Sequence, residues 1–223
     1  MSHVKVVTLP KMGSVSVVCK TKRDLSPVTP LDKRDDEALG WLYWDRIWPS
    51  SVALSEWLIQ QFFPDELAGQ RVLEIGCGTG LVGVVAAKLG ASTTFSDLVP
   101  ITLEAVKETC SLNGISHVDT WTLDWTGKVD RPEQFDMVVG SEIFYDSTVL
   151  GNIAYVLRQT LAPGGTGFFC DPNRLGLDTI KQVFQERFNV VTTKIPLTWP
   201  PRKGYGGKMA TLYQFRHRFS NQI

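Results

Sequence analysis

The chain has 223 residues, of which 43% are hydrophobic, so it can bury the core of one domain of ordinary size. Lysine and arginine together number 23, as do aspartate and glutamate, and the resulting net charge of zero argues against a nucleic-acid substrate. No apolar run approaches the roughly 20 residues of a membrane span, and the four cysteines lack metal-binding spacing. We therefore expect a cytoplasmic protein with reduced thiols and no membrane partner, and we expect it to be a monomer.

The first 40 residues predict a small appendage to the main domain. Val4–Leu9 and Ser14–Lys20 alternate in the manner of β-strands on either side of a turn, which predicts a hairpin. The stretch from Thr21 to Glu37 holds two prolines and many charges, and it predicts a linker or a lid that orders on cofactor binding. We therefore divide the chain into residues 1–40, a hairpin with a linker or lid, and residues 41–223, the main domain.

An apolar strand that runs into a glycine loop is the most informative segment of the chain. Val72–Gly80 reads Val-Leu-Glu-Ile-Gly-Cys-Gly-Thr-Gly, with Glu74 placed among hydrophobic residues before the first glycine. The glycines allow backbone conformations and a close ligand approach that a Cβ atom would block. The apolar segment Leu81–Leu89 then predicts a helix. Strand, glycine turn and helix in this order are typical of a nucleotide-cofactor fold.

Two cofactor patterns compete for this loop. Gly78, Gly80 and Gly83 satisfy the dinucleotide pattern G-x-G-x-x-G, but Gly76 ends the strand, and counting from it places Leu81 at the third glycine. The segment instead resembles the motif of class I S-adenosylmethionine methyltransferases, an acidic residue followed by G-x-G-x-G. The resemblance implies that the loop packs against the amino acid end of S-adenosylmethionine.

The second and third strands supply polar groups for the rest of such a cofactor. Ser92–Asp97 is rich in β-formers and ends in a carboxylate, which can accept hydrogen bonds from both ribose hydroxyls. Val118–Leu123 predicts the next strand, and it leads to Asp124 and Trp125. In the family that this segment resembles, a polar residue at this point meets the adenine, and Trp125 would offer an apolar face.

The fourth strand, Phe135–Gly140, is nearly all apolar, as a central parallel strand should be. Ligands of open α/β sheets bind beyond the carboxyl ends of the strands, and in the usual strand order this end neighbours the glycine loop. We therefore expect Ser141 to border the cofactor, and Glu142 and Tyr145 to face the substrate.

The remaining elements complete the predicted fold. They are a helix over Val149–Leu161, a turn at Ala162-Pro-Gly-Gly165, a strand over Thr166–Cys170, a helix over Leu177–Phe188, and a terminal hairpin of Val190–Leu197 and Ala210–His217. We predict an α/β fold with a doubly wound, mostly parallel seven-stranded sheet of the Rossmann-like class I methyltransferase type, with a terminal antiparallel hairpin.

Three further motifs narrow the resemblance to methyltransferase family 16, which includes many protein lysine methyltransferases. Ile47-Trp-Pro-Ser50, followed by an amphipathic segment over Val52–Phe63, resembles that family's entry helix, and aromatic residues crowd before it. Glu142-Ile-Phe-Tyr145 matches its (D/E)-x-x-Y motif. Asp171-Pro-Asn-Arg174 resembles the branch that contains electron-transfer-flavoprotein lysine methyltransferases.

The resemblance implies S-adenosylmethionine as cofactor and methylation of a lysine amine in a protein substrate, and the spacing of the cysteines predicts no metal site. Glu142 would orient the amine or accept its proton, and Tyr145 would hold its alkyl stem. The residues expected to bind the cofactor are Trp48, Glu74, Gly76, Gly78, Gly80, Asp97, Asp124, Trp125 and Ser141.

Several alternatives remain open at this point. They are a small-molecule N-methyltransferase, a cofactor-binding module without activity and an NAD oxidoreductase. Some site residues also have structural alternatives: Asp97 as a helix cap, Trp48, Trp125 and Tyr145 as core aromatics, Glu142 as the partner of an arginine, and Asp171 with Arg174 as a pair within a turn.

Overall fold

The computed structural model of the protein describes residues 3–20, 46–131, 133–199 and 207–218. Its strands are β1 His3–Leu9, β2 Gly13–Cys19, β3 Arg71–Ile75, β4 Ser92–Asp97, β5 Asp119–Thr122, β6 Phe135–Ser141, β7 Leu161–Asp171, β8 Phe188–Pro196 and β9 Met209–His217. Its helices are α1 Pro49–Phe62, α2 Leu81–Lys88, α3 Pro100–Leu112, α4 Leu150–Thr160 and α5 Leu177–Phe184, with a short 3₁₀ turn at Ser147–Val149. Among these described residues, no helix is long and apolar enough to cross a membrane.

Seven strands form one sheet in the order β5-β4-β3-β6-β7-β9-β8. The pairs from β5 to β7 are parallel, whereas β9 lies antiparallel between β7 and β8. The doubly wound, mostly parallel seven-stranded sheet and its terminal antiparallel hairpin are therefore confirmed. Because β3 and β6 are neighbours at the centre, the segments after both strands meet at one edge of the sheet.

Each face of the sheet has its own hydrophobic core, because the side chains of a strand alternate between the faces. Glu74 and its neighbour Val72 point to the face covered by α1, α2 and α3. Leu73 and Ile75 point to the other face, which is covered by α4 and α5 and holds an aromatic cluster that includes Phe144 and Phe215. The central strands are buried on both sides, so the residues beyond their ends are held on a rigid support.

The N-terminal hairpin of β1 and β2 packs on α3. The side chain of Asn113 donates to the carbonyl of Ser16 at 2.7 Å, and its Oδ1 accepts from the backbone N–H of Ser16 at 3.1 Å. The backbone N–H of Val18 donates to Oγ1 of Thr109 at 2.9 Å. The buried side chains of the hairpin join the core of the α1–α3 face. The hairpin is therefore as predicted, and it shares its core with the main sheet, whereas the expected linker or lid lies outside the described residues.

Three local features differ from the sequence-based expectation. The bounds of α3 were not predicted, although Asp97 was considered as a cap of the helix after β4. The Pro-Gly-Gly turn lies inside β7, where Phe135 pairs with Leu161 and Met137 with Thr166, so residues 162–165 bulge out of the ladder. Helix α5 ends at Phe184, since Phe188 is fully buried as the first residue of β8.

Candidate active site

The glycine loop between β3 and α2 requires the backbone freedom of its glycines. Gly76, Gly78 and Gly80 have φ angles of +61°, +50° and +73°, in the region that L-residues seldom adopt. The loop is closed by two backbone hydrogen bonds, from the N–H of Cys77 to the carbonyl of Ser96 and from the N–H of Gly80 to the carbonyl of Cys77. The first bond ties the loop to β4, and the second closes a turn within the loop.

Gly76 also lies under two side chains from other elements. A Cβ atom at this position would lie 2.9 Å from Cγ2 of Ile143 and 3.0 Å from Cζ2 of Trp125. Ile143 follows β6 and Trp125 follows β5, so the ends of three strands converge above this glycine. Only a residue without a side chain allows this convergence.

Glu74 is buried behind the loop, with 2% of its surface exposed. Its Oε2 accepts from the backbone N–H of Gly83 at 2.9 Å, in the first turn of α2. Gly80, the N-cap residue of α2, has no side chain to satisfy that turn, and Glu74 supplies the missing acceptor from the neighbouring strand. Burial raises the pKa of Glu74 to about 8. Its observed role is to join strand and helix, and a direct cofactor contact remains a prediction.

Asp97 ends β4 and holds two loops at once. Its Oδ2 accepts from the backbone N–H of Gly78 at 2.9 Å, and its Oδ1 accepts from the N–H of Val99 at 2.9 Å, just before α3. Burial raises its pKa, against the effect of these hydrogen bonds. Asp97 thus closes a turn before α3, but the cap alternative is not observed, since the N-cap residue is Val99 and no side-chain cap hydrogen bond is present there. Because each carboxylate oxygen accepts more than one hydrogen bond, the carboxylate keeps acceptor capacity for a ligand.

The segment after β5 places an exposed carboxylate beside an aromatic pair. Oδ1 of Asp124 accepts from the backbone N–H and the hydroxyl of Thr126, which closes a tight turn. Trp125 lies 6.5 Å from Tyr145, measured between ring centroids, and Tyr145 is 54% exposed. Trp125 and Tyr145 are thus brought together across the ends of β5 and β6, close to Gly76.

Glu142 directly follows Ser141, the last residue of β6, and has a left-handed backbone with φ +60°. Such a conformation is strained for a residue with a side chain and is held here by surrounding contacts. The N–H of Glu142 donates to the carbonyl of Cys170 at 2.9 Å, and its Oε1 accepts from the N–H of Ser50 at 3.1 Å. The carboxylate is thus buried against the start of α1.

The second oxygen of Glu142 forms an ion pair with Arg174. Nη1 of Arg174 also lies 3.4 Å from the carbonyl oxygen of Glu142, and the guanidinium carbon lies 5.5 Å from the ring centroid of Trp48. Burial raises the pKa of Glu142, and Asp171 nearby raises it further, whereas the hydrogen bonds from Ser50 lower it. The ion pair with Arg174 favours the ionised carboxylate. The arginine-partner alternative for Glu142 is therefore observed.

Asp171 shapes the turn that presents Arg174. Its Oδ1 accepts from the backbone N–H groups of Asn173 and Arg174 at 2.7 and 3.2 Å. The hydroxyl of Tyr213 donates to Oδ1 of Asn173 at 2.7 Å and fixes the turn further. Asp171 is fully buried, and burial raises its pKa to about 6. Asp171 therefore holds the backbone of Arg174, and the guanidinium of Arg174 is left to pair with Glu142.

The structure places the residues expected from the sequence in two neighbouring groups. The first surrounds the glycine loop and contains Gly76, Gly78, Gly80, Asp97, Trp125 and Tyr145. The second joins Trp48, Glu142 and Arg174. The aromatic residues at 41, 43 and 44 lie outside the described residues. The sequence did not predict Ile143 and Ser50 as site residues. The available signals were that Ile143 directly follows Glu142 and that Ser50 directly follows the Trp-Pro pair.

Known proteins with related sequences methylate protein side chains, according to their names. The histone-arginine methyltransferase METTL23 of Xenopus laevis is 35% identical over 129 residues, which are 55% of this chain and 53% of the relative. The electron transfer flavoprotein beta subunit lysine methyltransferase of Xenopus laevis is 31% identical, over 59% of this chain and 53% of the relative. The chain thus spans about half the length of the curated relatives it matches.

Solved structures with the same fold include methyltransferases of several kinds. RsmC of T. thermophilus, a 16S rRNA methyltransferase solved with AdoMet and guanosine, has a TM-score of 0.68 at 15% identity, over 98% of this chain and 51% of that chain. The N-methyltransferase NodS of Bradyrhizobium japonicum, solved with S-adenosyl-L-homocysteine, has a TM-score of 0.56 at 21% identity, over 87% of this chain and 95% of that chain.

The family comparison agrees with the motifs around the glycine loop and after β6. Residues 40–185 match methyltransferase family 16, which is described as lysine methyltransferase. This range runs from the segment before α1 to the end of α5 and includes both groups of site residues. The chain therefore belongs to methyltransferase family 16, and it has the class I methyltransferase fold, as its sequence predicted.

Proposed function

We propose that this protein is an S-adenosylmethionine-dependent methyltransferase that transfers a methyl group to a basic side chain of a protein. One observation carries the proposal. The carboxylate of Asp97 is bonded to the glycine loop beside the point where Ile143 and Trp125 close over Gly76. This arrangement combines a hydrogen-bond acceptor for a ribose with a loop that a ligand backbone can approach closely.

The described residues fit this cofactor on two further grounds. The indole N–H of Trp125 is buried, and no described atom accepts its hydrogen bond, although buried donors are normally satisfied. Leu98, directly after Asp97, is 59% exposed and offers an apolar surface to a planar ring. A nucleoside would supply polar and apolar partners for both.

The proposed contacts follow the order of the strands. Asp97 would hold the ribose, the loop of Gly76, Gly78 and Gly80 would hold the amino acid end, and Asp124 and Trp125 would hold the adenine. Trp48, Glu74 and Ser141 remain proposed at the margin of this site, Glu74 through its support of α2.

S-adenosylmethionine, when bound, supplies a sulfonium-bound methyl group for direct displacement by a nucleophilic nitrogen. A lysine side chain, with an ordinary pKa of about 10.4, can attack only after its ammonium has lost a proton. Both oxygens of Glu142 are already engaged, by Ser50 and by Arg174, so this residue is better suited to orient an acceptor than to take up its proton. Alignment of the reacting groups is then the main contribution of the protein, and Tyr145 would contact the acceptor stem.

Lysine is the proposed acceptor because the family is one of lysine methyltransferases. Arginine is a second candidate, since the related METTL23 proteins are named histone-arginine methyltransferases. A monomer acting on a cytoplasmic protein is the simplest form of this proposal.

The cofactor assignment is tested by Asp97→Asn, which keeps the size of the side chain but removes the charge and one acceptor. Isothermal titration calorimetry should show that S-adenosylmethionine binds about 10- to 100-fold more weakly, the range expected for a lost hydrogen bond to a charged group. Asp136→Asn is the matched control, because Asp136 accepts from the backbone N–H of Arg71 at the opposite end of the sheet. Equal affinities in the wild type and both variants would contradict the assignment.

The acceptor is identified by incubation of the purified protein with methyl-labelled S-adenosylmethionine and a cell lysate. The proposal predicts a discrete labelled protein that contains methyl-lysine or methyl-arginine by mass spectrometry and that is lost with Asp97→Asn. Label confined to small molecules would instead indicate a metabolite N-methyltransferase. Cofactor binding without any transferred label would indicate a binding module.

A further inference from the structure

The guanidinium of Arg174 lies in a corner built for a cation. Glu142 offers a carboxylate oxygen and its backbone carbonyl, and Trp48 offers the face of its ring at 5.5 Å. The carboxylate side chain is only 3% exposed, so its charge is poorly hydrated and calls for a counter-charge. A carboxylate beside an aromatic face is a general arrangement for recognising guanidinium and ammonium groups.

The basic side chain of a protein acceptor needs the same partners. A lysine or arginine that enters a methyltransferase site arrives charged, with an alkyl stem that can lie along an aromatic surface. The corner follows directly on the carboxyl end of β6, at the edge of the sheet where the glycine loop also lies. Arg174 therefore occupies, within the same chain, the kind of place that the acceptor requires.

The side chain of Arg174 can leave this corner without unfolding its turn. Asp171 accepts from the backbone N–H groups of Asn173 and Arg174, and Tyr213 donates to the side chain of Asn173; none of these hydrogen bonds involves the guanidinium. The side chain of Arg174 is 29% exposed, so solvent reaches it. Rotation about its own side-chain bonds would move the guanidinium into water, where it is well solvated.

We propose that Trp48 and Glu142 form the subsite for the cationic side chain of the methyl acceptor, and that Arg174 fills this subsite as an internal surrogate until the acceptor displaces it. The inference rests on the proposed function and adds a residue that sets acceptor affinity. Because the acceptor competes with a resident cation, its apparent affinity is reduced by the fraction of molecules in which the corner is filled.

The test is the binding of two small cations, ethylguanidinium and n-propylammonium, to the wild type and to Arg174→Ala. Saturation-transfer NMR and calorimetry should show at least about tenfold tighter binding of one of them to Arg174→Ala, and this gain should vanish in Arg174→Ala combined with Glu142→Gln. The preferred cation indicates whether the subsite suits arginine or lysine. Arg158→Ala is the matched control, since the guanidinium carbon of Arg158 also lies against an aromatic ring, 5.8 Å from the ring centroid of Tyr155 on α4.

Two measurements keep the test decisive. The thermal shift produced by S-adenosylmethionine reports folding and cofactor binding separately from the cation site, so its loss in the wild type would contradict the proposed function and not this inference. If Arg174→Ala does not fold, Arg174→Lys should still bind ethylguanidinium more tightly than the wild type, because an ammonium lacks the planar fork of a guanidinium. A folded variant that binds neither cation more tightly than the wild type would show that Arg174 is a permanent clamp and would overturn the proposal.

Discussion

Asp97 and Glu74 show how single carboxylates hold the backbone on which the proposed site depends. Asp97 joins the glycine loop to the segment before α3, and Glu74 joins β3 to the first turn of α2. Each side chain accepts from backbone N–H groups that the loop itself leaves unsatisfied. At this scale the residues proposed to bind a cofactor are also residues that fold the loop.

Gly76 gives the most direct prediction at the scale of a residue. In Gly76→Ala the new Cβ would press against Ile143 and Trp125, and the residue would keep an unfavourable φ of +61°. We expect the free energy of unfolding to fall by about 1–3 kcal/mol and the binding of S-adenosylmethionine to be lost. Urea denaturation and calorimetry measure the two effects.

Gly114→Ala is the matched control for this substitution. Gly114 has a φ of +73°, but a Cβ there would meet no atom within 4 Å. It therefore carries the backbone strain without the collision and lies between α3 and β5. Cofactor binding should survive in Gly114→Ala. If Gly76→Ala bound the cofactor as well as Gly114→Ala does, the close approach at Gly76 would have no part in binding.

The types of the site residues were predictable from the sequence, whereas their partners were not. The motif after β3 and the carboxylate at the end of β4 identify the loop and Asp97 because spacing along one strand fixes their place. Glu142 pairs with Arg174, which lies 32 residues away, and Trp48 approaches from α1. Such pairings depend on how helices and turns pack over the sheet, and no local pattern encodes that packing.

At the scale of elements, the strands were easier to predict than their connections. Apolar runs such as Phe135–Gly140 predict buried strands well, since both faces of a central strand are covered. The bounds of α3 were not predicted, although Pro100 at its first position is a typical start signal. The end of α5 was misplaced because Phe188 suits a buried strand as well as it suits a helix.

The contact between the N-terminal hairpin and α3 is testable through Asn113. Asn113→Ala removes the two hydrogen bonds to Ser16 and one to the carbonyl of Thr109. We expect the free energy of unfolding to fall by about 1–3 kcal/mol in urea, and the amides of β1 and β2 to exchange faster with deuterium.

Asn189→Ala is a suitable control, because Asn189 is an exposed residue on the edge strand β8. The free energy of unfolding of Asn189→Ala should differ from that of the wild type by no more than about 0.5 kcal/mol. Unchanged exchange in the hairpin of Asn113→Ala would show that apolar packing alone holds the hairpin to α3.

At the scale of the whole molecule, the fold carries buried acids on the side of the proposed site. Glu74, Asp97, Glu142 and Asp171 are each at most 8% exposed, and burial raises the pKa of each. Of these four, Glu142 is paired with a described arginine. The overall architecture was predictable from the order of strands and helices, but this clustering of buried acids was not, since it arises where separate strands end side by side.

Stability should therefore depend on pH through Glu74. Its folded-state pKa of about 8 lies above the ordinary value of 4.5. At a pH between these two values, the carboxyl group of Glu74 has lost its proton in the unfolded chain but keeps it in the folded protein. The free energy of unfolding should fall as pH rises through this window, by up to about 1.4 kcal/mol per pH unit, and should level off above pH 8. Below pH 4.5 the full contribution of protonated Glu74 to the free energy of unfolding is present.

Urea denaturation of the wild type and of Glu74→Gln at pH 5, 7 and 8.5 measures this dependence. Glutamine keeps the acceptor for the N–H of Gly83 but cannot ionise, so the variant should lose much less stability between pH 5 and 8.5 than the wild type. The groups that face Glu74 are Asp97, Cys77 and Cys110, and they are unchanged in the variant. Parallel curves for the two proteins would show that Glu74 is ionised throughout.

The double attachment of Asp97 has a consequence for reading related sequences. Because its carboxylate holds the loop and closes the turn before α3, natural selection for a stable protein would keep it even in a descendant that no longer methylates anything. An aspartate at the end of β4 is therefore a marker of shared ancestry and intact folding. Glu142 instead lies in the proposed acceptor corner with Arg174 as its partner, so the loss of Glu142 would be the more telling sign that the chemistry of a relative has changed.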